Sequence, residues 1–155
     1  FKDLNNNYQN FVGTWESTTG DITFRLILWK ETMNKLSNET NSYIDDIKGK
    51  YLIIQNTGTL NEVILHNSVK YYPQSNYTTN SILTAISSDG ISFSGTIEDT
   101  CANGGNSILT GWAKLTITNS GNSPLISHWT VKNSRQLFTG ESFTIPTDCI
   151  LTKVN

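Results

Sequence analysis

The strongest constraint on the fold is a run of alternating apolar and polar residues near the start of the chain. Residues 22–29 read ITFRLILW, and the side chains that share one face are Ile22, Phe24, Leu26 and Leu28. A period of two residues is typical of a β-strand with one buried face. Residues 11–17 come before this run, and the four residues between them, Thr18-Thr19-Gly20-Asp21, are of types that favour tight turns. Residues 11–30 therefore predict a β-hairpin.

Weaker versions of this pattern follow along the chain. Runs with strand character occupy residues 50–55, 61–66, 81–87, 91–98, 112–118, 126–132 and 149–154, and turn residues such as Ser88-Asp89-Gly90 lie between them. A meander of about 8 to 10 strands leaves no exposed edge if it closes into a barrel. We therefore predict an all-β fold, a single antiparallel up-and-down β-barrel over residues 11–155, with a β-sandwich as the alternative. Residues 1–10 predict an extended leader, and the polar residues 31–46 predict a long loop.

The composition excludes several classes of protein. Of the 155 residues, 36% are hydrophobic and 15% are charged, and the formal net charge is −2. Without clusters of Lys or Arg, a nucleic acid is not an expected partner. No apolar run is long enough for a transmembrane helix, so the chain is not expected to span a membrane. Thr, Ser and Asn make up about a third of the residues, which favours strands and turns over helices.

Several features favour an exported protein. The chain starts at Phe1, as a mature protein would after removal of a signal, and it holds two cysteines. In an exported protein an even number of cysteines predicts a disulfide, here between Cys101 and Cys149. Two unpaired thiols are the alternative. We expect a periplasmic, outer-membrane-surface or secreted location.

The residues Gly13-Thr14-Trp15 are similar to the G-x-W sequence that opens the barrels of lipocalins and other calycins. In lipocalins the Trp closes one end of the barrel beneath a basic residue of the last strand. The resemblance implies a lipocalin-like barrel closed by Gly13 and Trp15, with Lys153 in the position of the basic residue.

Most of the chain also resembles a family of small exported bacterial proteins, flavobacterial in type, which has no assigned activity. The matching pieces, in order, are residues 11–15, 21–30, Cys101, the GWAKLTI sequence of residues 111–117, Trp129, Ile145-Pro146 and residues 149–153. The resemblance implies export and supports the fold, and it supplies no catalytic residue.

Aromatic residues outside the apolar faces are the best candidates for contact residues. Trp29 and Trp112 alternate with the buried positions of their strands, and Tyr71, Tyr72 and Tyr77 lie in a polar segment around Pro73. Trp and Tyr are enriched in binding interfaces. Packing beneath loops is the other interpretation of these five residues.

Neither catalysis nor a cofactor is predicted. The chain lacks a G-x-S-x-G sequence, a P-loop and an H-E-x-x-H sequence, so we expect a non-enzyme. Glu98, Asp99, Asn103 and Asn106 offer oxygen ligands of the kind that Ca²⁺ prefers, but their spacing fits no metal motif, and a solvated turn is the preferred interpretation. No metal site is predicted.

Together these observations favour a binding module of the bacterial cell envelope. In the leading hypothesis the barrel interior is filled, and the outer surface and loops bind a protein or glycan partner. In the alternative hypothesis the barrel carries a small hydrophobic ligand inside, as lipocalins do.

Overall fold

The protein is a closed antiparallel β-barrel of eight strands, with one additional strand paired to the barrel and a separate two-stranded sheet. The structure, a computed structural model, describes residues 2–35, 41–72, 77–137 and 140–155, with the side chains of 70–72 and 77–79 outside the description. The predicted all-β class and the up-and-down barrel are confirmed.

The chain forms eleven strands and two short helical segments among the described residues. A 3₁₀ helix covers Asn7–Asn10, and an irregular helical turn covers Ala102–Gly105. The strands are β1 (Gly13–Thr19), β2 (Ile22–Lys35), β3 (Tyr43–Gln55), β4 (Val63–Asn67), β5 (Lys70–Tyr72), β6 (Tyr77–Thr79), β7 (Leu83–Ile86), β8 (Ser92–Asp99), β9 (Leu109–Ile117), β10 (Ile126–Asn133) and β11 (Asp148–Lys153).

The barrel closes because neighbouring strands pair in sequence order and the first strand returns to the last. The order is β1, β2, β3, β7, β8, β9, β10, β11 and then β1 again. Strand β4 pairs with β3 outside this ring, and β5 pairs with β6 in a separate two-stranded sheet. Alternation along each strand then sends one set of side chains into the barrel.

The alternating pattern predicts ten large inward-pointing side chains, one of which is Leu65. Nine of the ten are buried, which confirms the pattern on β1, β2, β3, β8, β9 and β10. They are Trp15, Phe24, Leu26, Leu28, Ile53, Phe93, Ile97, Leu115 and Trp129. The prediction was wrong for Leu65, which is 43% exposed. Leu65 lies at a bulge in β4, and this strand is attached to the barrel by one edge only.

The N-terminal segment, residues 2–12, covers one end of the barrel. It is not wholly extended, since residues 7–10 form the 3₁₀ helix that presents Tyr8 to the core. Tyr8 and Phe11 are fully buried, and Asn10 Nδ2 donates to the carbonyl oxygen of Gly90 (2.8 Å). The segment is folded because its two aromatic side chains are buried in the hydrophobic core.

The resemblance to the G-x-W barrels predicted a contact between Trp15 and Lys153, and this contact is present. Trp15 is fully buried, and the Lys153 ammonium lies 5.6 Å from the centroid of its ring, within the range of a cation–π interaction. Lys153 Nζ also donates to the carbonyl oxygen of Asn10 (3.0 Å). These contacts join β1, β11 and the N-terminal segment at one point.

The prediction of a loop over residues 31–46 was wrong at both ends of that stretch. Strand β2 continues to Lys35 and β3 begins at Tyr43, and the intervening residues 36–40 lie outside the described part of the chain. Asp45 and Asp46 are buried, although a solvated loop was predicted. Met33 N donates to Asp45 Oδ1 (3.0 Å) and Asn34 Nδ2 to Asp46 Oδ1 (2.7 Å), so polar residues pair with one another in the sheet.

Candidate functional site

A groove that contains an exposed aromatic side chain lies on the outer wall, across strands β8, β9 and β10. We call it the β8–β10 face. Its volume is about 420 Å³, and its side chains include Ser94, Trp112, Lys114, Thr116, His128, Thr130 and Lys132. These residues share one face because the inward positions of the same strands are taken by core residues such as Ala113 and Leu115.

The register of the strands fixes the spacing within this face. Trp112 lies opposite Thr96 on β8 and Lys132 on β10, and Lys114 lies opposite Ser94 and Thr130. Directly opposite residues in an antiparallel pair have Cβ atoms about 5 Å apart. The position of Trp112 therefore neighbours those of Lys132, directly opposite, and Lys114, two residues along the same strand, together with several residues that carry hydroxyl groups.

Trp112 is exposed to an unusual degree for its type, with 59% of its surface accessible. Large aromatic side chains are highly buried on average. The exposed indole of Trp112 leaves apolar surface in water, and a bound partner would bury that surface. Among the described residues, no ion pair involves Lys114 or Lys132. His128 does have a partner, since its Nε2 lies 2.9 Å from Asp148 Oδ1.

The other predicted contact residues do not join this face. Trp29 is half-buried and lies in β2 opposite Lys48, and β2 is four strands away from β9 around a ring of eight. The two tryptophans thus lie on opposite sides of the barrel. Tyr71, Tyr72 and Tyr77 lie on β5 and β6, with Tyr72 opposite Tyr77, but their side chains are outside the described part of the structure.

The barrel interior is filled with large side chains. Trp129 lies against Phe24 and Phe93, with ring centroids 6.1 and 6.5 Å away, and Phe93 meets Phe11 edge-on at 5.3 Å. A barrel of about eight strands is just wide enough for side chains to fill it. The large residues predicted by the alternating pattern therefore meet in one core.

Asp99 anchors the chain at the barrel end opposite the N-terminal segment. It is fully buried at the end of β8 and accepts hydrogen bonds from the Tyr51 hydroxyl and from the backbone N–H groups of Cys101, Thr144 and Ile145. Burial, and next the hydrogen bond to Asp99, raise the pKa of Tyr51 far above its ordinary value of 10.0. These bonds hold Ile145 across the end of the core.

The hydrogen bonds of Asp99 and Asn103 also determine whether the loop after β8 has oxygen atoms free for Ca²⁺. Both carboxylate oxygens of Asp99 accept hydrogen bonds from protein groups, and Asn103 Nδ2 donates to Ser107 Oγ (2.7 Å). Within the described residues, no group of three or more His, Cys, Asp or Glu side chains could hold a metal ion.

The predicted disulfide is wrong, because Cys101 and Cys149 are free thiols. Cys101 Sγ lies 3.6 Å from the carbonyl oxygen of Asn67, at the end of β4. Cys149 lies in β11 opposite Trp129 and interacts with Ser17 of β1. Burial raises the pKa of the Cys149 thiol. The two thiols pack against different strands, so the argument for export that rested on a disulfide no longer holds.

A smaller pocket opens beside Cys149, at the barrel end that Ile145 covers. Its volume is about 300 Å³, and its lining is largely apolar: Ser17, Thr19, Ile22, Phe24, Ile53, Thr144, Ile145, Pro146, Asp148 and Cys149. We call it the mouth pocket. It is the part of the barrel end that core side chains leave open.

Sequence reasoning missed the lysines of the β8–β10 face and the anchor Asp99. The signal for the lysines was present, since Lys114 and Lys132 alternate with buried residues in their strands just as Trp112 does. No such signal marked Asp99 as an anchor, because three of its four hydrogen-bond donors, in Tyr51, Thr144 and Ile145, are 45 to 48 positions away in the chain.

A family model described as a family of unknown function (DUF6705) matches residues 1–154 of the chain. No curated protein and no solved structure matches the chain. No helix among the described residues is long and apolar enough to cross a membrane.

Proposed function

The chain belongs to the DUF6705 family of unknown function, and we propose that it is a non-enzymatic module that binds an acidic glycan on its β8–β10 face. The observation that carries the proposal is the exposed Trp112 between two lysines without ion-pair partners among the described residues. A location in the cell envelope or at the cell surface belongs to the same proposal. It is supported by the resemblance of the sequence to small exported bacterial proteins.

The make-up of the face favours a glycan over a protein partner. A stable protein interface buries about 800 Å² on each side around an apolar centre. Here a single aromatic ring is surrounded by Ser and Thr hydroxyl groups in a groove of about 420 Å³. A sugar ring could stack on the indole of Trp112, and its hydroxyl groups could pair with those of Thr96 and Thr130.

The lysines determine which glycan is preferred. Lys114 and Lys132 are both exposed, on adjacent strands, and would each attract a carboxylate or sulfate group on the sugar. Uronic acid units carry one carboxylate per ring. We therefore expect an oligouronate to bind and a neutral oligosaccharide of the same length to bind much more weakly.

Isothermal titration with hexagalacturonate, beside maltohexaose as the neutral probe, tests the proposal. We expect saturable binding of hexagalacturonate that weakens about tenfold or more in Trp112→Ala, equivalent to about 1.4 kcal/mol, and is largely retained in Trp112→Phe. Lys132→Gln should weaken it and increase its tolerance of salt, because one charge contact is lost.

Lys35→Gln is the matched control, since Lys35 is an exposed lysine at the far end of β2. It should bind as the unmodified protein does. Equal affinity for the acidic and neutral sugars, or binding unaffected by Trp112→Ala, would contradict the proposal.

A second function is favoured by the mouth pocket, namely transport of a small hydrophobic ligand. Its volume of about 300 Å³ lies at the lower limit for ligand sites. Because large side chains meet in the core, we expect such a ligand to bind in this pocket rather than between the core side chains. A fluorescent short-chain fatty acid should then bind at one site per barrel, and Ser17→Phe, which fills the pocket, should abolish its binding. The same variant should leave hexagalacturonate binding unchanged.

A further inference from the structure

We infer that strand β4 is a self-association site, at which two copies of this chain pair edge to edge. Strand β4 pairs with β3 along one side, from Gln55 opposite Val63 to Leu52 opposite Asn67. Its other side pairs with no strand among the described residues. The eight barrel strands form a closed ring, so β4 is an open edge beside a barrel whose own strands are all paired on both sides.

The side chains of β4 lack the usual protection of an open edge. Val63, Ile64 and Leu65 are 51%, 54% and 43% exposed, so three consecutive apolar residues face solvent. Natural edges are blocked by lysine, proline or inward-pointing charges, and residues 63–67 hold none of these. The protective features that remain are the bulge at Leu65 and the short length of the strand, five residues.

An unpaired edge displays N–H and C=O groups in an extended row, so its natural partner is another extended strand with a free edge. A second copy of the chain supplies such a strand. An antiparallel pair of identical strands is related by a two-fold axis, and each contact then occurs twice.

The charges around β4 suit a two-fold axis through Ile64. With that register, Ile64 lies opposite itself, Val63 opposite Leu65, and Glu62 of each copy opposite His66 of the other. Apolar residues thus meet apolar residues, and the single acidic side chain at the start of the strand meets a group that can donate a hydrogen bond or carry positive charge. Glu62 also accepts from Gly58 N (2.7 Å), which fixes its carboxylate beside the turn that leads into β4.

Sedimentation equilibrium over a range of protein concentrations tests the inference. We expect a monomer–dimer equilibrium for the unmodified chain, and a dissociation constant raised about tenfold or more in Ile64→Lys, because two ammonium groups would face each other across the axis. Ile86→Lys is the matched control. Ile86 is 46% exposed, but it lies in β7, a barrel strand that is paired on both sides, so the dimer of this variant should be as stable as that of the unmodified chain.

A charge exchange tests the register independently of any effect on folding. Glu62→Lys alone should weaken the dimer, and the double variant Glu62→Lys/His66→Glu should restore it, because the opposed pair is then re-formed with the charges reversed. A protein that stays monomeric at all concentrations would overturn the inference. So would a dimer that survives Ile64→Lys, or one that the double variant does not restore.

Discussion

At the scale of single residues, Gly13 explains why the G-x-W sequence suits this barrel. Its φ of +129° lies in a region that favours glycine, and an added Cβ would lie 2.0 Å from the carbonyl oxygen of Asn155. That carbonyl accepts from Thr14 N (2.9 Å) where the first strand meets the end of the chain. Trp15, one residue further on, is fully buried beneath Lys153. The glycine lets the backbones approach, and the tryptophan fills the end of the core.

Gly13→Ala should therefore destabilise the protein by at least about 2 kcal/mol, because it adds backbone strain and displaces the C-terminal residue. Urea unfolding followed by tryptophan fluorescence measures this change in the free energy of unfolding. Gly20→Ala is the control. Gly20 has a φ of +63° but no atom within 4 Å of an added Cβ, so its cost should be about 1 kcal/mol. Equal costs at the two positions would show that the contact with Asn155 is unimportant.

At the scale of elements, carboxylates join the buried side chains of Tyr8 and Phe11 in holding the N-terminal segment to the barrel. Asp3 pairs with Lys30 (2.9 Å) and accepts from the backbone of Asn7, while its own N–H donates to Asp45 Oδ2 (3.1 Å). Backbone N–H groups of Met33 and then Asp3 lower the pKa of Asp45 below its ordinary value of 3.8. For Asp3, burial acts to raise the pKa, but Lys30 and the N–H groups of Tyr8 and Asn7 outweigh it, so this pKa is also lowered.

We expect the N-terminal segment to loosen in acid. A lowered pKa in the folded state means that the carboxylate stabilises the fold fully above about pH 4 and loses this contribution as the pH falls below 3.8. Hydrogen exchange of the N–H groups of residues 3–12, between pH 6 and pH 2.5, measures the loosening. In Asp45→Asn the segment should be looser already at pH 6 and respond less to acid.

Asp21→Asn is the control for this prediction, since Asp21 lies in an exposed turn away from the N-terminal segment. In the Asp21→Asn protein, the N-terminal segment should respond to acid as it does in the unmodified protein. An Asp45→Asn protein with the full acid response would show that Asp45 does not hold the segment.

The elements themselves could be predicted from the sequence wherever one face of a strand is buried. The alternating residues 22–29 and the Asp89-Gly90 turn each gave a strand or hairpin that the structure confirms. The polar ends of β2 and β3 could not be predicted, because Asn34, Asp45 and Asp46 are stabilised by one another and by Asp3 rather than by an apolar face. A local pattern does not reveal partners that are distant in sequence.

At the scale of the whole molecule, barrel closure decides which candidate residues act together. Trp29 and Trp112 resembled each other in the sequence, yet the ring of eight strands places them on opposite sides. The same closure brings Trp112 beside Lys132, twenty positions later in the chain, because β9 and β10 are neighbours. The outward position of Trp112 could therefore be predicted from the alternation in its strand, but its grouping with Lys132 depends on strand order and register.

The two proposed sites are far enough apart to operate together. Strand β9, which carries Trp112, is three strands from β3, to which β4 is attached. Two copies joined at β4 would leave both β8–β10 faces free, and such a dimer would hold a long acidic polysaccharide at two points. Linked sites of this kind gain about 10²- to 10⁴-fold in apparent affinity when the spacing allows both to bind.

We therefore expect the dimer to bind immobilised polygalacturonate about a hundredfold more tightly than the Ile64→Lys monomer does, while both bind free hexagalacturonate equally well. Surface plasmon resonance at protein concentrations above and below the dimer dissociation constant measures the first, and isothermal titration the second. Loss of hexagalacturonate binding from both proteins would reject the glycan site. Equal affinity of monomer and dimer for the immobilised polymer, with hexagalacturonate binding intact, would reject only the two-point attachment, because each face would then act alone.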